Sequence, residues 1–352
     1  MNFEYPNFHD FQTEINGKKV ELFALKCGNL KFFVTNYGAR IVGIFVPDKF
    51  GKPTDVIVGP NTIKDFLQSK EKFYGAIVGR CCNRIRNAEF NLGNQLYKLS
   101  QNKGKHHLHG GDSGFHEQVW KVESYTENQL VLSYFSNHLE EGYPGNLQTK
   151  ISYSVSDNET LEIKIEAISD QATVVNMTSH PFFNLNGFGT ILNHQLWINA
   201  NCYTVVDEEV TTTGEVVGLE KSPLDFRVIK SIGKDIDSQD QQIQFGKGFD
   251  HNFVLNKDSS HSLAAIAKGD LSGIVLEIWT DEKGLQLYTG NWMNGENKLK
   301  NGQYDTERTA FCLETQNFPN AINFPHFPNS ILQPDDRYMT KTVFQFSVEE
   351  NS

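Results

Sequence analysis

Three separated segments of this 352-residue chain carry side chains able to move protons. Arg84 and His109 lie in the first third, His180 lies in Thr178-Ser179-His180-Pro181-Phe182-Phe183-Asn184-Leu185, and Glu314 lies in Phe311-Cys312-Leu313-Glu314-Thr315-Gln316. An imidazole and a carboxylate that converge on one substrate can act as acid and base without a cofactor. Taken singly, each residue has a plainer reading. A histidine before Pro181 and two phenylalanines serves equally as a hydrogen-bonded structural residue. Glu314 stands where the strand-like Ala310-Phe311-Cys312-Leu313 gives way to the loop Asn317-Phe318-Pro319-Asn320. There it is either a carboxylate tuned by burial or half of a structural ion pair. Asn83-Arg84 offers an amide beside a guanidinium fork, suited to vicinal hydroxyls or to a surface salt bridge. Asp250 in Gly248-Phe249-Asp250-His251 either accepts hydroxyl protons or closes an Asx turn.

Two other clusters imitate familiar sites. His106-His107-Leu108-His109 together with Cys81-Cys82 has the ligand types of a zinc site but none of its usual spacings, so no metal is expected. Gly111-Asp112-Ser113-Gly114 copies the surroundings of a nucleophilic serine, yet no histidine or aspartate stands in a matching context, and glycine-flanked Asp-Ser is ordinary turn chemistry.

The elements that must position these residues read as strands. Phe 26 and Tyr 12 against Met 4 favour pleated surfaces. Period-two alternation runs through Leu147, Thr149, Ile151, Tyr153 and Val155, turns at 156–160, and resumes at Leu161, Ile163, Ile165 and Ala167, which predicts a hairpin. A second hairpin is expected at Phe90-Asn91-Leu92, Gly93-Asn94, Gln95-Leu96-Tyr97. Further strand-like runs cover 20–26, 31–36, 40–46, 119–124, 129–135, 195–199, 273–280, 284–289 and 342–348. One helix is expected over Asn61 to Phe73, capped by Asn61 or Thr62 with Ile63, Phe66 and Leu67 on one face. The polar stretch 230–247 reads as a long loop. Strand-then-helix alternation is absent, so the expected fold is all-β, a large antiparallel β-sandwich forming a single domain over 1–352.

Net charge −11 opposes binding to nucleic acid or to anionic membranes. The five cysteines (Cys27, Cys81, Cys82, Cys202, Cys312) are odd in number and two are adjacent, which suits reduced thiols. The start Met1-Asn2-Phe3-Glu4-Tyr5-Pro6 lacks a basic and then apolar leader pattern, and no run of about 18 apolar residues occurs. A cytoplasmic protein is expected.

Taken together, the segments resemble the aldose 1-epimerase (galactose mutarotase) family. The matching pieces are Asn36-Tyr37-Gly38-Ala39-Arg40-Ile41, Gly79-Arg80-Cys81-Cys82-Asn83-Arg84-Ile85, Leu108-His109-Gly110-Gly111, Gly142-Tyr143-Pro144-Gly145, Thr178 to Leu185, Gly248-Phe249-Asp250-His251, Leu287-Tyr288-Thr289-Gly290-Asn291 and Leu313-Glu314-Thr315-Gln316, in family order. The resemblance implies a galactose mutarotase-like supersandwich with few short helices and an open sugar cleft. It implies Glu314 as general base, His180 as general acid and His109 as a second histidine near the anomeric centre. Asn83, Arg84, Asp250 and Gln286 are implied as ligands of sugar hydroxyls. The implied partner is a monosaccharide, with no cofactor, in a monomer or weak homodimer. The chain departs from the family pattern at Cys81-Cys82, where small or polar residues are commoner. The implied chemistry asks for Glu314 ionised and His180 protonated at rest. A glycoside hydrolase would need a second carboxylate flanking the scissile bond. A hexose-6-phosphate epimerase would need a basic cluster, and none stands out. A sugar-binding module would not need the His180 and Glu314 pair.

Overall fold

Period-two burial is what organises the structure, a computed structural model describing residues 5–349. Met1–Glu4, on which the expectation about a leader partly rests, lie outside this range. The long hairpin forms as expected: Leu147–Ser156 and Thr160–Ser169 pair antiparallel from Leu147↔Ser169 to Ser156↔Thr160. Along the first strand Leu147, Thr149 and Ile151 are buried while Gln148 and Lys150 are exposed. The Phe90 hairpin is also present, as Glu89–Leu92 with Gln95–Lys98.

The long hairpin belongs to a nine-stranded sheet. Its order is Lys121–Tyr125, Gln129–Ser136, Leu147–Ser156, Thr160–Ser169, Tyr338–Val348, Ile274–Thr280, Ser262–Lys268, Gln195–Ile198 and Lys230–Ser231. The last strand of the chain therefore lies at the centre of the sheet. A five-stranded sheet runs Thr212–Gly218, Ala200–Val206, Asp250–Leu255, Gly284–Tyr288, Cys312–Gln316. A four-stranded sheet runs Leu22–Cys27, Leu30–Thr35, Arg40–Pro47, Pro53–Asp55. Ile151, Ile163 and Phe344 of the first sheet share one core with Phe253, Leu285 and Leu313 of the second and Leu25, Phe32 and Ile44 of the third. Each such side chain contributes about 1.5–3 kcal/mol by leaving water. The pairings between these strands are antiparallel, giving the expected all-β sandwich.

Three local expectations are corrected. The helix over 61–73 is confined to Ile63–Gln68. Thr62 caps it, its Oγ1 accepting the Asp65 N–H at 3.1 Å, and Ile63 and Phe66 are buried, but Leu67 is 42% exposed. The helix ends early because Asn297 Oδ1 captures the Lys70 and Glu71 N–H groups at 2.8 and 3.1 Å, which draws the chain into an extended path. The stretch 230–247 is not a plain loop, since it contains the helix Gln241–Gly246 capped by Asp240. The strands Ala200–Val206, Thr212–Gly218, Asp250–Leu255 and Ser262–Lys268 were not read from sequence. In Asp250-His251-Asn252 both faces of the strand are buried, one of them among polar groups, so alternation is invisible. No helix among the described residues is long and apolar enough to cross a membrane.

Candidate active site

Register in the five-stranded sheet builds one wall of a cleft. Asn252, Gln286 and Glu314 lie opposite one another, as do Asp250, Tyr288 and Cys312. Successive side chains point to opposite faces, so Phe253, Leu285, Leu287 and Leu313 enter the core while Gln286, Glu314 and Asp250 share the other face. Gln286 Nε2 donates to Asp250 Oδ1 at 2.7 Å. Asp250 is thus a strand residue and not an Asx turn.

The facing wall comes from a two-residue ladder, in which Leu108 pairs with Arg84 and His107 with Ile85. Just outside it Asn83 and His109 both take left-handed backbone, at φ 57° and 52°. They clasp each other: the His109 N–H donates to the Asn83 carbonyl at 3.0 Å, and the Asn83 N–H donates to His109 Nδ1 at 3.2 Å. A neutral imidazole that accepts at Nδ1 carries its proton on Nε2, so His109 offers a donor to the cleft. Asn83 Oδ1 accepts the Arg84 N–H at 2.8 Å, which leaves the amide NH₂ for a ligand. Gly110 follows at φ +87°, where a Cβ would lie 1.8 Å from the Gly79 carbonyl oxygen, so only glycine fits behind His109. Arg84 is buried with Nε lacking a partner and forms no salt bridge among the described residues. The surface-salt-bridge reading of it is therefore set aside.

His180 is set by bonds on both sides, its N–H to the Ala76 carbonyl and its carbonyl from the Gly75 N–H, each 2.9 Å. Its ring stacks with Phe182, with centroids 5.1 Å apart, and with Phe73 at 6.1 Å. Nε2 then reaches Glu314 Oε1 at 3.3 Å, and His109 meets the His180 ring edge to face at 5.2 Å. His109, His180, Asn83, Arg84, Asp250 and Glu314 all line one cavity of about 360 Å³. Buried polar atoms without partners include Arg84 Nε, His180 Nδ1 and Glu314 Oε2 on lining residues and Gln286 Oε1, whose residue does not line the cavity but bonds Asp250, which does. Such atoms in a native interior need an explanation, and a polyhydroxylated ligand supplies one.

Burial dominates the electrostatics. It pushes His180 down to about 4, with the Arg40 charge adding to the effect. It pushes Glu314 well above the usual carboxylate range, helped by Asp250 and opposed by Arg84. It also holds His109 well below the ordinary imidazole range, with His180 and Arg84 adding to it. Asp250 is raised by burial and drawn back by Arg84 and the Gln286 bond. Burial therefore works against the expected ionised Glu314 facing a protonated His180. Both groups are driven towards their neutral forms because neither charge is solvated. The neutral pair and the ion pair hold the same single proton, on Oε1 or on Nε2, so the catalytic form is one proton hop away.

His109, His180 and Glu314 also bring three potential metal-ligand atoms within 4.8 Å of one another. The Asn83 bond to Nδ1 puts a proton where His109 would need a lone pair. The zinc imitation at His106-His107 with Cys81-Cys82 does not assemble. His107 instead bonds Tyr143 Oη at 2.8 Å, and Cys82 Sγ donates to Gln316 Oε1 at 3.3 Å. All five cysteines are unbridged.

Several residues in the motifs build walls and do not face the cavity. The Arg40 guanidinium donates to the carbonyls of Tyr74 at 2.5 Å and of Lys72 and His116 at 3.0 Å, fixing the segment that carries Phe73. Arg80 donates to the Pro144 and Asn137 carbonyls at 2.8 Å, tying the Gly142 to Gly145 segment beneath Cys81. Sequence reasoning missed these roles, as it missed Phe73, Tyr288 and Trp292 as lining residues. An arginine inside an apolar run is the one signal that marked Arg40.

Comparison with known proteins agrees with this geometry. The family model described as Aldose 1-epimerase matches residues 21–345. A galactose mutarotase of Sus scrofa is 38% identical over 331 residues, covering 94% of each chain. An aldose 1-epimerase of Escherichia coli strain K12 is 29% identical, covering 95% of this chain and 97% of its own. The crystal structure of an aldose epimerase homologue from C. elegans superposes with a TM-score of 0.87 at 28% identity, covering 94% of this chain and 99% of that one. That of a galactose 1-epimerase from Lactobacillus acidophilus NCFM gives 0.83 at 28% identity, covering 96% and 97%.

Proposed function

Because this chain belongs to the aldose 1-epimerase family, we propose that Glu314 and His180 are the base and acid with which it opens and recloses the sugar ring. The enzyme interconverts the α and β anomers of an aldose. Ring opening needs the C1 hydroxyl proton to leave as a proton reaches the ring oxygen and the C1–O5 bond breaks. Glu314 takes the first proton and His180 gives the second. Rotation about C1–C2 turns the other face of the aldehyde to O5, and the same two groups with exchanged roles close the ring. His109, fixed as an Nε2–H donor, stabilises charge developing on the C1 oxygen. Arg84, Asp250, Gln286 and the Asn83 amide hold the remaining hydroxyls. The one observation that carries this assignment is the 3.3 Å approach of His180 Nε2 to Glu314 Oε1 on a cavity floor with unpaired polar atoms.

Each positioned acid or base typically contributes ~10²–10⁴-fold, so two suffice without a metal, a nucleotide or a covalent intermediate. Aldohexoses such as galactose and glucose are the proposed substrates, and the whole chain is taken as one domain. A cytoplasmic monomer or weak homodimer is proposed with it, in keeping with five unbridged cysteines. The test is polarimetry of freshly dissolved α-D-glucose, α-D-galactose, xylose and arabinose, with the protein at catalytic concentration and with or without chelator. The expected result is a relaxation proportional to enzyme and indifferent to chelator. Relaxation at the buffer rate for all four sugars would reject the proposal.

A further inference from the structure

The mouth of the cleft carries groups that ring opening does not use. Trp292 lines the cavity and is 44% exposed. The Lys247 ammonium lies 4.5 Å from the centroid of its indole and the Lys103 ammonium 5.9 Å. Other lysines of the rim are neutralised, Lys70 by Glu296 and Lys72 by Glu117. Lys103 and Lys247 form no salt bridge among the described residues, in a chain whose 43 acidic side chains outnumber its 32 Lys and Arg. Two ammonium groups without a salt-bridge partner thus flank one exposed ring, with the Glu71 and Asp250 carboxyls farther into the same cleft. No basic cluster is visible in the sequence because the fold alone brings residues 103 and 247 together.

The platform is held from below. The Trp292 N–H donates to Tyr288 Oη at 3.0 Å, and Asn291 Nδ2 donates to the Gly246 and Phe249 carbonyls at 2.7 and 2.9 Å. Lys247 is the left-handed C-cap of Gln241–Gly246, and its carbonyl accepts from Arg308 Nη2 at 2.6 Å. Lys103 sits in a tight turn with its N–H on the His106 carbonyl at 3.2 Å. The Lys103 charge acts into the cleft, drawing down the carboxyls of Glu71 and Asp250 against their burial.

We propose that this mouth is a subsite for an anionic group, a carboxylate or a phosphate ester, carried by the aldose whose anomeric centre reaches Glu314. The indole receives an apolar C–H face of the sugar, and Lys103 and Lys247 pair with the anion. This rests on the epimerase reading of the cleft, and adds to it that acidic aldoses are favoured over neutral ones.

The test measures binding by isothermal titration calorimetry, and turnover by NMR exchange between anomers. The ligands are D-galactose, D-galacturonate and D-galactose 6-phosphate, with wild type and Lys103→Gln/Lys247→Gln. Two partly exposed ion pairs of ~0.2–1 kcal/mol each correspond to a loss of about 2- to 30-fold. In the double variant Kd and KM for at least one acidic sugar should rise by that factor with kcat held, while galactose is unchanged. Which acid responds separates carboxylate from phosphate. Raising salt from about 0.05 M to about 0.5 M should reduce the wild-type advantage in the same way. Acidic sugars that bind wild type and variant equally at low salt, or galactose weakening as much as they do, would overturn the subsite. Lysine-dependent binding of an acidic sugar with no turnover of any aldose would instead keep the subsite and reject the epimerase reading.

Discussion

Replacing Glu314 by Gln should cost activity and gain stability at the same time. The amide keeps the size of this buried side chain but cannot take the C1 hydroxyl proton. Loss of a positioned base lowers kcat by ~10²–10⁴, or ~2.7–5.5 kcal/mol of barrier. The carboxyl it replaces is held well above its ordinary range by burial, next to Asp250, with Oε2 unpaired. An acid whose folded pKa is raised leaves stability intact below the unfolded value of about 4.3. Stability then falls as pH climbs from there towards the folded value, by ~1.4 kcal/mol for each unit of the gap. Glu314→Gln removes that penalty, so its gain should be absent near pH 4 and present at neutral pH. For a chain of 352 residues the unfolding entropy is ~0.7 kcal/mol/K, so each unit of the gap returns about 2 °C of Tm. The assay pairs saturation transfer between the H1 resonances of galactose with calorimetric melting at both pH values. Turnover within threefold of wild type, with sugar still bound, would refute the base assignment. A melting point lower at neutral pH than wild type would refute the electrostatic reasoning.

The pH profile of kcat/KM should be a broad bell. His180 is pushed down to about 4 and Glu314 upward, so the singly protonated pair persists between an acid limb near 4 and an alkaline limb above the ordinary carboxylate range. His180→Asn should lower kcat by ~10²–10⁴ and erase the acid limb; an unshifted acid limb would assign it elsewhere. Arg84→Ala removes a guanidinium that forms no salt bridge among the described residues, so KM should rise by about 10- to 150-fold, from ~1.5–3 kcal/mol for charged hydrogen bonds. A fall in kcat alone would place Arg84 in transition-state stabilisation instead. Gly110→Ala forces a Cβ to within 1.8 Å of the Gly79 carbonyl oxygen at φ +87°. It should destabilise by at least ~1–3 kcal/mol, and a wild-type Tm would contradict the account of that turn.

The sheet class was legible because half-buried strands such as Leu147–Ser156 write their burial as alternation. Asp250–Leu255 was not legible, since its second face is buried against the polar floor of the cleft. The helix at Ile63–Gln68 was legible in its cap but not its length, because the residue that ends it is Asn297, far along the chain. Within the site, His180, Glu314, Asn83, Arg84, His109 and Asp250 could be named from local motifs, whereas Gln286 came only with the family resemblance. The protonation state of the pair is not legible from chemistry alone. It depends on how completely the fold removes water from His180 and Glu314, which no spacing encodes. The Lys103 and Lys247 pair over Trp292 was equally hidden, since each lysine alone reads as a solvated charge.

The central claim is that the sugar ring opens at C1–O5 and recloses without the C1 oxygen leaving. Mutarotation of α-D-galactose in H₂¹⁸O, followed by polarimetry with mass spectrometry of the sugar at matched times, tests it directly. The account predicts fast, enzyme-proportional relaxation of the rotation with ¹⁸O at C1 no higher than in the enzyme-free control. One solvent oxygen gained for each anomeric inversion, as an oxocarbenium route with water attack would give, or no acceleration at all, would contradict it.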